Sequence, residues 1–296
     1  MNKFRVITNM IVAGAVYLGA ASAALAQTIP VVVSFTILGD VVKNVGGDHV
    51  SVKSLVPPDG DPHSYSPTPQ DSKALKSAAV SFVSGEDLET WFKRLARASG
   101  GIDPVVVSDG IKTHSLYEHG QTMIDPHVWN SVPNIVVWVA NIEEALIKAD
   151  PANAADFRAN AKRYNAQLKK TDGWIRHELK SIPRDRRKVL TDHDVFGYYG
   201  REYGVTFLAP VGLSTANEPP AKKVARVIDQ MKKEKIHTYF IANSSSSQLV
   251  KQIAYATGAK SGGVLYPESL SEANGPASTY IDMMRYNTRL IVNAIK

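Results

Sequence analysis

Two identical tripeptides, Asp61-Pro62-His63 and Asp125-Pro126-His127, and a third histidine within Thr191-Asp192-His193-Asp194 are the residues whose types could do chemistry. Each leaves the end of a strand-like run, the place where open α/β sheets bind ligands. Proline before the first two histidines restricts the backbone, so each imidazole is presented on a stiff loop and loses less entropy on binding. Neutral imidazole is the commonest protein ligand for zinc, at about 2.0–2.1 Å from nitrogen to metal. The histidines are too far apart for a local zinc pattern such as H-E-x-x-H, and Asp-Pro-His is also an ordinary surface turn. From the residues alone, a metal site and a set of polar turns both stay open. His49, His177 and His237 fall at a turn, on a helix and at a strand start, and receive no function.

The elements that must position these loops read as a repeated grammar. Runs at 29–35, 50–55, 80–84 and 105–107 are short and β-branched or nearly continuously apolar, as strands of a parallel sheet covered on both faces are. Helical spacing at 40–45, 71–79 and 88–98 separates them, which implies βαβ units. The second half repeats the pattern, with strands at 188–191, 206–209, 237–241 and 263–265 and helices at 221–233 and 247–257. Between the halves, Asp150-Pro151 starts a helix with Asp at the cap and Pro in the first turn. Phe157, Ala161, Tyr164, Leu168, Ile175, Leu179 and Ile182 keep helical steps to the end of that run. The expected fold is α/β: lobes over 27–149 and 183–296, each with a parallel sheet, joined by one long rigid backbone helix over 150–182. Such a link allows only small closure on binding.

Composition narrows the function classes. The chain has 296 residues, 44% of them hydrophobic and 21% charged, which is ordinary for a globular protein with room for two domains. Lys3 and Arg5, an apolar stretch and Ala24-Leu25-Ala26 read as a secretory signal peptide over 1–26. The formal charge is +6, or +4 once Lys3 and Arg5 are removed with that leader. The cationic residues are scattered, with no aromatic platform or groove motif, so no nucleic-acid partner is expected. The sequence has no cysteine, which excludes disulfides, thiolate ligands and a lipid-bearing cysteine within it. A monomer in the periplasm is the expectation.

Longer motifs carry a resemblance. Asp61-Pro62-His63-Ser64-Tyr65-Ser66-Pro67, Met123-Ile124-Asp125-Pro126-His127-Val128-Trp129, Asp192-His193-Asp194-Val195-Phe196-Gly197 and Leu265-Tyr266-Pro267-Glu268-Ser269 occur in order over nearly the whole mature chain. Together they resemble the zinc and manganese solute-binding proteins of bacterial ABC importers. That resemblance implies a metal site in the cleft between the lobes, bound by His63, His127, His193 and Glu268, and an ABC permease in the inner membrane as partner. It implies a carrier and not an enzyme. Two departures stand out: Glu268 occupies a position where the family usually has Asp, and Ala242 one where it commonly has an acidic residue.

Three imidazoles and one carboxylate favour zinc as the transported ligand, while manganese-selective relatives carry a second carboxylate at the position of His193. Imidazole must be neutral to bind, so affinity is expected to fall below about pH 6, near the unperturbed histidine pKa of about 6.5. The segment 109–124 holds His114 and His119, a candidate accessory capture site, although a plain polar loop that happens to contain two histidines accounts for it better. Two other classes stand beside the carrier. Without Glu268 as a ligand, three histidines and a water would make a hydrolytic zinc site with Glu268 or Asp192 as base, and some members of the family have been assigned adhesin roles.

Overall fold

A computed structural model describes residues 28–118, 120–215 and 219–296; the expected signal peptide lies outside these. In the first half the chain runs through β1 (Ile29–Val33), α1 (Thr36–Gly46), β2 (Val50–Ser54), α2 (Pro69–Ser77), β3 (Val80–Val83), α3 (Thr90–Ala98) and β4 (Val105–Val106). β1 to β4 form one parallel sheet in the order β2-β1-β3-β4. A hairpin of β5 (Ser115–Glu118) and β6 (Gln121–Ile124) then leads to the helices α4 (Val132–Ala149) and α5 (Ala154–Lys180).

The second half contains β7 (Lys188–Leu190), α6 (Gly197–Tyr203), β8 (Thr206–Leu208), α7 (Ala221–Glu234), β9 (Thr238–Ala242), α8 (Gln248–Thr257), β10 (Lys260–Leu265) and α9 (Tyr280–Ile295). Its sheet is also parallel, in the order β10-β9-β7-β8. Counted within its own half, each sheet has the same order, second-first-third-fourth. In both, the first crossover goes one way and the next the other, which opens a crevice at the carboxyl ends of the strands.

The long helix spans 27 residues, about 40 Å at 1.5 Å per residue. Of the seven apolar positions read as its inner face, six lie on the helix and Ile182 lies just past its end at Lys180, and all are buried. They belong to one hydrophobic cluster that includes Val41 and Val45 of α1, Ile142 and Leu146 of α4, and Ile291 and Val292 of α9. The helix is thus welded to elements of both halves, and a hinge within it would break that core. Its start differs from the sequence expectation. Pro151–Asn153 form a 3₁₀ turn without a side-chain cap, and Asp150 instead accepts a hydrogen bond from the Asn153 amide at 2.6 Å.

Sequence periodicity named no element where α4 lies. Its run Val132-Pro133-Asn134-Ile135-Val136-Val137-Trp138 is crowded with β-branched residues, which weakens the helical signal. Burial of Ile135, Trp138, Val139, Ile142 and Leu146 against α1 and α5 overrides that propensity. No helix among the described residues is long and apolar enough to cross a membrane.

Candidate metal centre

Four loops converge between the halves. His63 follows β2, His127 follows β6, His193 follows β7 and Glu268 follows β10. One donor atom from each lies within 4.8 Å of the others. His63 Nε2 is 3.1 Å from His127 Nε2 and 2.8 Å from Glu268 Oε1. The Nε2 atoms of His127 and His193 are each 3.3 Å from that same oxygen. Edges of a zinc tetrahedron built from bonds of about 2.0–2.1 Å are about 3.3 Å, so these donors stand near binding distance of one another. Among the described residues this is the one such cluster.

In the first half the loops are set by their own sequence. Asp61 Oδ1 accepts the His63 N–H at 2.8 Å, and Asp125 Oδ1 accepts the His127 N–H at 3.0 Å. The identical tripeptides therefore fold into the same turn, with the Asp side chain closing back on the backbone two residues on. Trp91 Nε1 donates to the Pro62 carbonyl at 3.0 Å and fixes the first loop from below. Asp125 Oδ1 also lies 2.8 Å from His127 Nδ1, so that nitrogen carries the proton and Nε2 offers its lone pair to the cleft. Trp129 is fully buried, packs its ring on His127 at 5.4 Å and donates to the Pro267 carbonyl. It thereby ties the His127 loop to the Glu268 loop.

In the second half His193 is oriented by its neighbour Asp192, and distant chain holds both that carboxylate and Glu268. Asp192 Oδ2 lies 3.2 Å from His193 Nδ1, and the Ser245 hydroxyl donates to the same oxygen. Glu268 is completely buried, with Oε2 accepting the Ser244 hydroxyl at 3.1 Å. Sequence reading missed Ser244 and Ser245, because nothing local marks one serine in a run of four.

The electrostatics are those of a buried carboxylate ringed by imidazoles. Burial alone would raise the Glu268 pKa, but the positive ends of His193 and His63 and its hydrogen bonds hold it well below the ordinary 4.5. Burial likewise opposes charge on His193, yet Glu268 and Asp192 outweigh it and lift its pKa well above 6.5. His127 is shifted upward too, by Asp125 and Glu268 against its own burial. Without a metal, burial beside these carboxylates therefore favours proton binding at His193 and His127.

The expected accessory site divides differently. His119 lies outside the described residues. His114 does not face solvent as a capture residue must. Its ring stacks on Tyr198 at 4.0 Å, its Nε2 is 3.8 Å from Asp125 Oδ2, and both ring nitrogens are buried. The segment expected as a plain loop is the β5–β6 hairpin, and its pairing turns His114 inward, behind the carboxylate that orients His127. Gly197 at the start of α6 permits this packing, since a Cβ there would collide with Asp125 and approach the His114 ring at 3.1 Å.

Comparison with known proteins agrees with this architecture. Residues 31–294 match the family model of the periplasmic zinc-uptake complex component A, ZnuA. The chain is 34% identical over 262 residues to the iron-binding protein YfeA of Yersinia pestis, covering 88% of this chain and 84% of that protein. It is 33% identical over 277 residues to the manganese-binding lipoprotein MntA of Bacillus subtilis, covering 91% and 90%. The periplasmic zinc binding protein TroA from Treponema pallidum superposes with a TM-score of 0.85 at 30% identity, covering 91% of this chain and 99% of that one. With a shared fold and a match along nearly its whole length, the chain belongs to the ZnuA family of periplasmic metal-uptake components.

Proposed function

We propose that the protein captures Zn(II) between His63, His127, His193 and Glu268 in the periplasm and delivers it to an ABC permease of the inner membrane. At the coarser level, the chain is a solute-binding component of a metal ABC importer and not an enzyme. The observation that carries the finer reading is the convergence of three imidazole nitrogens on one oxygen of a single buried carboxylate. Three nitrogens and one oxygen, four of whose six spacings are 2.8–3.3 Å, suit zinc, and the carboxylate fills the fourth position that a hydrolytic site would leave to water. Asp192, the other candidate base, is already engaged by His193 and Ser245.

Manganese is the second reading, favoured by the names of relatives such as MntA of Bacillus subtilis. Manganese prefers more oxygen donors than one carboxylate oxygen supplies. Lobes over 27–149 and 183–296, a monomeric carrier and an N-terminal leader over 1–26 complete the proposal. Metal content by mass spectrometry, on untagged protein purified without chelators and on His193→Ala, tests it. One equivalent of zinc in the wild type, with weakened binding in the variant, is the expected result. One equivalent of manganese that zinc fails to displace would transfer the assignment to the second reading.

A further inference from the structure

The two oxygens of Glu268 have different surroundings. Oε1 faces all three histidines, at 2.8 Å from His63 Nε2 and 3.3 Å from those of His127 and His193. Oε2 accepts the Ser244 hydroxyl. We infer that Ser244 is a specificity-determining positioning residue, which keeps Glu268 to a single donor atom and so limits the bound cation to four ligands. The inference rests on the four-residue site proposed above and deepens it.

The loop that carries Ser244 is built to hold it there. Asn243, at the end of β9, donates its main-chain N–H to the Leu265 carbonyl at 3.0 Å. Its side-chain amide donates to Asp59 Oδ1 at 2.7 Å in the opposite half and to the Ser269 carbonyl at 3.4 Å. The residue before Ser244 is therefore fixed to the strand that leads to Glu268, to the segment just after it, and to the opposing lobe. The residue after it, Ser245, holds Asp192 against His193. Two consecutive hydroxyls thus orient both donors of the second half.

Coordination number follows from this. A carboxylate with both oxygens free binds a cation through one or both of them, and a second oxygen would raise four ligands to five. Zinc is satisfied by four nitrogen and oxygen donors in a tetrahedron. Manganese is suited by octahedral, oxygen-rich sites and gains from each added oxygen. Glutamate has one more rotatable bond than aspartate, so an untethered Oε2 at residue 268 would turn readily toward the metal. The Ser244 hydroxyl opposes that rotation, and its loss shifts preference toward manganese without removing any ligand.

The test compares wild type, Ser244→Ala and Ser244→Thr by competition titration with Zn(II) and Mn(II) against a chromophoric chelator, and by visible absorption after loading with Co(II). Ser244 lies in a partly exposed loop, so the core is untouched. In the wild type, Co(II) should give the intense absorption of four-coordinate cobalt. In Ser244→Ala that absorption should weaken and the zinc-to-manganese affinity ratio fall about tenfold, the scale of one hydrogen bond to a charged group. Ser244→Thr retains the hydroxyl and should keep both wild-type values. An unchanged spectrum and ratio in Ser244→Ala, an equal loss of both metals, a Thr variant that behaves like Ala, or weak cobalt absorption in the wild type would each overturn the inference. Failure of wild-type protein to bind either metal would instead overturn the site assignment, and it would be seen before any variant is compared.

Discussion

In the proposed site the two halves supply two donors each by different means. In the first, His63 and His127 sit on identical Asp-Pro-His turns whose aspartates close on their own backbone, so the support is two residues from the ligand. In the second, Glu268 is held by Ser244, 24 residues earlier in the chain, and the Asp192 that orients His193 is held by Ser245, 53 residues later. The first half presents a site formed locally. The second completes it only when its sheet has assembled and brought the β9–α8 loop beside the other two, so its donors are the more exposed to perturbation from afar.

Removing a donor should have the largest effect. His193→Ala is expected to weaken zinc by more than about 100-fold, beyond the 10–100-fold typical of losing an orienting partner. A competition titration showing less than tenfold loss would mean that His63, His127 and Glu268 bind without His193. Next come the orienting carboxylates. Asp125→Asn should cost about 10–100-fold in affinity and Asp192→Asn somewhat less, since Asp125 bonds both the N–H and the ring of its histidine. The reverse ranking would show that the second half, not the first, sets the affinity.

Acid dependence sharpens the same contrast. His193 and His127 hold protons in the metal-free fold above the ordinary value of 6.5, and a metal must displace them. Affinity should therefore rise with pH by about tenfold per unit for each displaced proton. Its decline on acidification begins above the pH 6 expected from unperturbed histidine, because Glu268 and Asp192 stabilise the imidazolium of His193. The raised histidine pKa values stabilise the metal-free fold fully below pH 6.5, and that contribution is lost as pH rises through the folded values. The lowered Glu268 pKa contributes above 4.5 and is lost below it. Thermal melts should show the metal-free protein losing stability from about pH 6.5 upward, while the gap between zinc-loaded and free melting temperatures widens. A gap independent of pH would remove the histidines from the ligand set.

The smallest effect is expected at the rim. Thr215 donates across the cleft to Asp61 at 2.6 Å, on the carboxylate that also holds the His63 N–H. Thr215→Val should remove about 1 kcal/mol of closure and speed zinc release about fivefold in stopped-flow chelation, with the equilibrium fold unchanged. A far larger acceleration would show that the second half acts as the gate of the site.

Much of this molecule could be read along the chain because its determinants are periodic or local. The inner face of α5 follows from a 3.6-residue repeat, and the strands from short β-branched runs between turns. The paired Asp-Pro-His motifs state their own turn chemistry, and the family motifs pointed to Glu268 as the fourth donor. What remained hidden depends on contacts between distant segments. α4 is helical because α1 and α5 bury one face of a β-branched run that alone favours extended chain. His114 turns inward because the β5–β6 hairpin pairs, and Ser244 meets Glu268 because β9 and β10 lie side by side. The sequence by itself determined the alternating elements, the spine and the donor types, since those are set by side-chain volume, polarity and spacing. Only the tertiary structure decided which oxygen of Glu268 faces the histidines and which way the proton affinities of His127 and His193 move, because burial and electrostatic coupling exist only once the four loops meet.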